Sequence, residues 1–212
     1  MTLEEFNEAI IKLDSPEKQR LFTQKFLLHG TPVVFKDKED EYFEFKKRIA
    51  DKFEVGFHEV FIVGSAKLGF SYHKRTIFDY DSDIDVVIVN ERLFEKFYLE
   101  ITEYQYQLDK QYKTVDQKES KQYEQFLKYL VKGWMRPDKL PTSSQVNLLK
   151  SDWFDFFKSI SHGQSEVGNY KVTAGLFKNY EYLEKYHTRG IEDIYNSLTV
   201  NYHGKTNSIK SK

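Results

Sequence analysis

Asp83 and Asp85 stand at the threshold of the apolar run "IDVVIV" (84–89). Side chains alternate along an extended chain, so residues two apart share a face. The spacing predicts two carboxylates pointing the same way, with Ile84 on the opposite side. Neighbouring carboxylates repel, and each loses hydration beside an apolar strand. A divalent cation relieves both problems. Mg²⁺ takes oxygen ligands, commonly one or two carboxylates together with substrate phosphates. The bland alternative for an isolated Asp-x-Asp is a solvated acidic turn, here "DYDSDID" (79–85). A second feature upstream favours chemistry. The apolar "HEVFIV" (58–63) runs into Gly64-Ser65 and then "AKLGF". A strand that opens through Gly-Ser into a helical turn presents free N–H groups, a hydroxyl and the positive end of a dipole, which suits phosphate. Glycine permits close backbone approach. Together the two features make a phosphate cradle beside a metal-binding pair. Lys67, Lys74 and Arg75 lie between them and either reach phosphate oxygens or form a solvated basic loop.

The elements that must position these residues can be read from periodicity and punctuation. Residues 2–13 predict a helix, ended by Asp14, Ser15 and Pro16. Ser15 then caps a second helix running to about His29. "HGTPVVF" (29–35) reads as a turn and a short extended piece, and 39–53 as a third helix. Residues 58–63 and 84–89 read as strands, the second too uniformly apolar to be one-sided and therefore central. Residues 71–82 read as a polar loop. Asn90 caps a helix to about Asp109, and 117–132 predicts another. Residues 134–145 look like a loop, 147–160 a helix, 170–178 a strand and 180–198 a final helix. The result is an α/β domain over 1–200 with a small mixed sheet, helical additions at 2–53 and 91–160, and a loose tail at 201–212.

The totals narrow the classes of function. The chain has 212 residues, enough to bury a substantial core. A formal net charge of −1 argues against a duplex-binding basic surface. There is no cysteine, which excludes disulfides, thiolate metal ligands and cysteine nucleophiles. That absence fits a reducing compartment. No apolar run approaches a membrane span, and "MTLEEFNEAII" is too acidic for a signal peptide, so a cytoplasmic protein is expected. The six histidines show no zinc-type spacing. Neither a P-loop nor a G-x-S-x-G elbow is present. "DWFDFF" (152–157) reads as a buried helical face, with a base-stacking platform as the alternative.

"FIVGSAKLGFS…SDIDVVIV" resembles the signature of the nucleotidyltransferase superfamily typified by DNA polymerase β. The pattern is a hydrophobic strand, Gly-Ser, a short helix, then Asp-hydrophobic-Asp-hydrophobic on the next strand. Gly64, Ser65, Asp83 and Asp85 occupy the matching positions, and the resemblance is strongest over 58–90. It implies a nucleotidyltransferase-type sheet and transfer of a nucleoside monophosphate from an NTP or dNTP to an acceptor hydroxyl. Asp83 and Asp85 would bind Mg²⁺ or Mn²⁺, while Gly64 and Ser65 hold the triphosphate. The acceptor stays open among a protein, a nucleic-acid end, a nucleotide and a small molecule. Two departures stand out. The interval from Ser65 to Asp83 is long, with "SYHKRTIFDY" as the extra piece. No third carboxylate appears on the later strand 170–177, which leaves Asp79, Asp81, Glu166 or an acid in the helical middle as substitutes. The resemblance thus also allows a nucleotide-binding relative without turnover, or one that caps a toxin partner in a bacterial two-gene or anti-phage system. A nucleic-acid-binding protein without chemistry is the third reading.

Overall fold

The computed structural model describes residues 1–141, 144 and 152–209, of which 201–209 by backbone alone. The chain is mixed α/β. Helix α1 (Leu3–Ile10) begins in a capping box, in which the Thr2 hydroxyl accepts from the Glu5 N–H and the Glu5 carboxylate accepts from the Thr2 N–H. Helix α2 (Pro16–Phe22) starts on Ser15, with proline at its first position, and continues as a π-helical turn over Thr23–Leu28. The expected extended piece at 29–35 is instead a 3₁₀ turn, Val33–Phe35. Helix α3 (Glu39–Phe53) leads to strand β1 (Val60–Val63), the one-turn helix α4 (Gly64–Leu68) and a hairpin of β2 (Phe70–Ser71) and β3 (Thr76–Ile77). The hairpin lies in what the sequence suggests is a polar loop. Strand β4 (Asp83–Val89) follows, then α5 (Glu91–Asp109), α6 (Gln117–Leu130) and a two-residue strand β5 (Trp134–Met135) inside a second expected loop. Helix α7 is Asp155–Ser159; part of the helix expected at 147–160, residues 147–151, lies outside the described residues. Strand β6 (Lys171–Phe177) precedes α8 (Tyr180–Ile209), whose backbone extends past the expected end at 198 into the segment read as a tail.

The main sheet has the order β1-β4-β6-β5. Strand β4 is central, antiparallel to β1 and parallel to β6. Both of its faces are covered. Ile84, Val86 and Ile88 join a cluster with Phe45, Ile49, Leu93 and Phe97 from α3 and α5. Val87 and Val89 join a second cluster with Phe6, Ile10, Leu183 and Ile191 from α1 and α8. Alternation places Asp83 and Asp85 on the second face, at the end of the strand where the helical cover stops. Trp153 and Phe157 pack on Phe53 in the first cluster, so the buried face of "DWFDFF" is core, while Phe154 is exposed.

Trp134 stacks on Phe177 at 5.3 Å and sits over Gly175, where a Cβ would lie 2.6 Å from its Nε1. Gly175→Ala is therefore expected to cost about 1–3 kcal/mol through overpacking, measurable as a lowered urea midpoint with unchanged slope.

Candidate functional site

An open cavity of about 460 Å³ lies at the end of β4. Gly64, Ser65, Asp83 and Asp85 all line it. The sheet register explains why: Val63 pairs with Asp85, so the chain leaving β1 at Gly64 passes directly beside that carboxylate. Gly64 has φ +69°, and a Cβ there would lie 3.0 Å from Asp85 Oδ2. Both facts favour glycine. The wall opposite is the β2–β3 hairpin with its turn, which contributes Tyr72, His73 and Lys74. The long interval between the motif halves is thus the cavity's own wall.

Sequence and structure part company over the cations. Lys74 lines the cavity, whereas Arg75 sits at the hairpin turn with φ +57° and does not. Lys67 is buried and turned away. Its ammonium donates to the carbonyls of His29 and Gly30, and burial pushes its pKa down to about 8. It ties α4 to the N-terminal helices and does not reach a phosphate in this cavity. Helical geometry is the reason: within one short turn, Ser65 faces the cavity and Lys67 the opposite side.

The acids also sort themselves. Asp79 and Asp81 join Asp83 and Asp85 in the cavity wall. Glu166 is held by Arg48 at 2.5 Å and is not part of that wall. On β6, the register sets Lys171 beside Asp83 and Thr173 beside Asp85. The Thr173 hydroxyl donates to Asp85 Oδ1 at 2.8 Å, and Lys171 Nζ stands 3.5 Å from Asp83 Oδ2. These two residues were not singled out from sequence. Their period-2 spacing on β6 was visible, but the pairing that brings them to the aspartates was not. Arg136 is another addition: it lies 5.3 Å from the Tyr129 and Trp134 rings and is paired with Asp138.

Crowding by protein raises the Asp85 pKa, and the charge of Asp83 adds to the effect; the Thr173 donor, Arg136 and Lys74 pull the other way. The carboxylate is still reached by solvent through the open mouth. Lys74 is the one lysine of the lining, against four aspartates, and Lys171 stands beside Asp83, so the cavity keeps a net negative character. A triphosphate would be repelled from it unless a divalent cation entered too. The oxygen-only donor set, two carboxylates on one face of a strand and an opening wide enough for phosphates fit Mg²⁺ or Mn²⁺. Among the described residues no group of three or more His, Asp or Glu is placed to hold a metal ion. Among the described residues no helix is long and apolar enough to cross a membrane.

Comparison with protein-family models, with curated proteins and with solved structures finds no match to the chain.

Proposed function

We propose that the protein is a divalent-metal-dependent nucleotidyltransferase that moves a nucleoside monophosphate from an NTP or dNTP to an acceptor hydroxyl. The observation that carries this reading is the convergence of Gly64 and Ser65, at the start of α4 just after β1, with Asp83 and Asp85 of the antiparallel neighbour β4 on one cavity. The resemblance of the motif points the same way. Asp83 and Asp85 would hold the metal. When bound, Mg²⁺ or Mn²⁺ supplies charge neutralisation for the triphosphate and for the departing pyrophosphate. The chain's own residues do the rest. Gly64 lets the backbone pass close beside Asp85, Ser65 offers a hydroxyl donor, and Lys74 offers an ammonium. Thr173 fixes the orientation of the Asp85 carboxylate. In the transfer, the acceptor oxygen bonds to the α-phosphorus and the bond to the β-phosphate bridging oxygen breaks. Pyrophosphate leaves with that electron pair, and the hydroxyl proton passes to water. Positioning and electrostatics supply most of the acceleration in such a step.

The test is incubation with each α-labelled NTP and dNTP plus Mg²⁺ or Mn²⁺, with and without cell extract as acceptor source. Label transferred to a protein, nucleic acid or small product supports the reading. Nucleotide binding with no labelled product in any tube rejects it.

Lys171 and Thr173 favour a second reading. They stand on β6 beside the aspartates, where another acid would complete a three-carboxylate site. A nucleotide-binding protein without turnover, acting through a partner, would tolerate them. The two readings differ at Thr173→Val. If Thr173 orients a working metal ligand, losing its hydroxyl is expected to lower transfer about 10–100-fold, with Thr173→Ser restoring most of it. A binding module would show unchanged nucleotide affinity in all three proteins and no product.

A further inference from the structure

A second cavity, of about 490 Å³, adjoins the first and shares Tyr72 and His73 with it. Its far wall is one face of α8, where Tyr182, Lys185, Tyr186 and Arg189 recur at helical spacing, completed by Tyr129 and Lys132 from the end of α6. Its charge is opposite to that of its neighbour: Lys132, Lys185 and Arg189 face a single carboxylate, Asp193. Arg189 is engaged by Glu192, while Lys185 makes no ion pair among the described residues. Lys132 Nζ stands 5.6 Å from the Tyr129 ring centre.

Two of the rings pack against the fold on one side. Tyr182 lies against Gly133, which has φ +68° and where a Cβ would fall 2.4 Å from the ring. Tyr186 meets Trp134 edge-on at 4.4 Å. Tyrosine faces suit a flat aromatic ligand, and ammonium groups without carboxylate partners suit a phosphate. The volume is that of a small-molecule site.

We propose that the second cavity binds a nucleoside phosphate, its base against the tyrosine rings and its phosphate met by Lys132 and Lys185, and that this ligand is the acceptor for the first cavity. The acceptor role rests on the nucleotidyl-transfer reading; the binding does not. A free nucleotide and the end of a nucleic-acid strand present the same chemistry.

The experiment uses the full chain carrying Asp83→Ala and Asp85→Ala, in EDTA, so that metal-dependent binding in the first cavity is removed. The probes are AMP, followed by tryptophan fluorescence through Trp134, and short 5′-fluorescein-labelled RNA and DNA oligonucleotides with free 3′ hydroxyls, followed by anisotropy. Binding is expected to persist in this background. It is expected to weaken about tenfold or more when Lys132→Ala and Lys185→Ala are added, through the lost phosphate contacts. Gly190→Leu is expected to block it sterically. A Cβ at 190 lies 3.9 Å from the Tyr72 hydroxyl at the cavity wall, and leucine suits a helix better than glycine. AMP binding alone identifies a free nucleotide; oligonucleotide binding displaced by AMP identifies a strand end. No binding of any probe to the folded double-aspartate protein overturns the proposal, as does affinity unchanged in both Gly190→Leu and the lysine variant. If the intact protein transfers label while this binding is absent, only this inference fails. If binding is present but no acceptor is ever labelled, the acceptor role is overturned along with the reading of the first cavity.

Discussion

On the proposed reading, Asp83→Ala and Asp85→Ala are each expected to lower nucleotidyl transfer by about a thousandfold or more, because a metal ion's several kcal/mol of charge stabilisation would be lost with its ligand and each 1.36 kcal/mol is a factor of ten. The fold should survive both changes. Asp83 and Asp85 are like charges on one strand face, and removing either relieves repulsion. The one ion pair lost, Lys171–Asp83, joins two half-exposed groups at 3.5 Å and is worth at most about 1 kcal/mol. Asp85→Ala leaves the Thr173 hydroxyl facing an open cavity that water can enter. Rate and stability therefore separate. The measurement is the initial rate of label transfer over a range of Mg²⁺ concentrations, set beside the urea unfolding curve of each variant. A rate undiminished in Asp83→Ala rejects this cavity as the site of transfer. A lost rate accompanied by a collapsed unfolding midpoint would mean that the aspartates act on the fold.

Much of the geometry of this candidate site is legible in the sequence, and the reason is local. Strand β4 is apolar on both faces, which only a central strand tolerates, and Asn90 marks its end by capping α5 with its own side chain, accepting from the Leu93 N–H at 2.8 Å. Gly64-Ser65 follows an apolar strand, and a positive φ is what glycine there suggests. The aspartates share a face for reasons of period alone. What stayed hidden is non-local. Thr173 and Lys171 matter only through the parallel register that sets β6 against β4. Lys67 looks like a phosphate ligand until the handedness of a single helical turn sends it to the His29 and Gly30 carbonyls. The β2–β3 hairpin is two residues deep on each side, too short for alternation to show, and its polar composition reads as loop. Strand β5 is equally short, and it owes its place to Trp134 filling the gap above Gly175. The second cavity is assembled from the hairpin, the end of α6 and α8, so no stretch of sequence contains it.

Acidification will destabilise the protein before its carboxylates are protonated. His187, on α8, is buried near His73 of the hairpin turn, and desolvation, reinforced by that neighbour, pushes its pKa down to about 4 from 6.5. A histidine held neutral in the fold but free to protonate in the unfolded chain makes the unfolded state bind more protons in the interval between the two values. Stability is then fully present above about pH 6.5, falls as the pH drops towards 4, and loses nothing further from this group below that. The whole displacement corresponds to about 3 kcal/mol, of which about 2 kcal/mol falls between pH 7 and pH 5. His187→Leu removes the titration while keeping the position apolar. Urea unfolding of both proteins at pH 7 and pH 5 isolates the effect, since every other titrating group is common to them. The variant is expected to lose about 2 kcal/mol less than the parent across that interval; parallel losses would show that His187 is as hydrated in the fold as in the unfolded chain. The same residue borders the second cavity. An anion bound there would favour the charged imidazole and raise its pKa. Saturating AMP should therefore flatten the parent's pH dependence and leave the variant's unchanged.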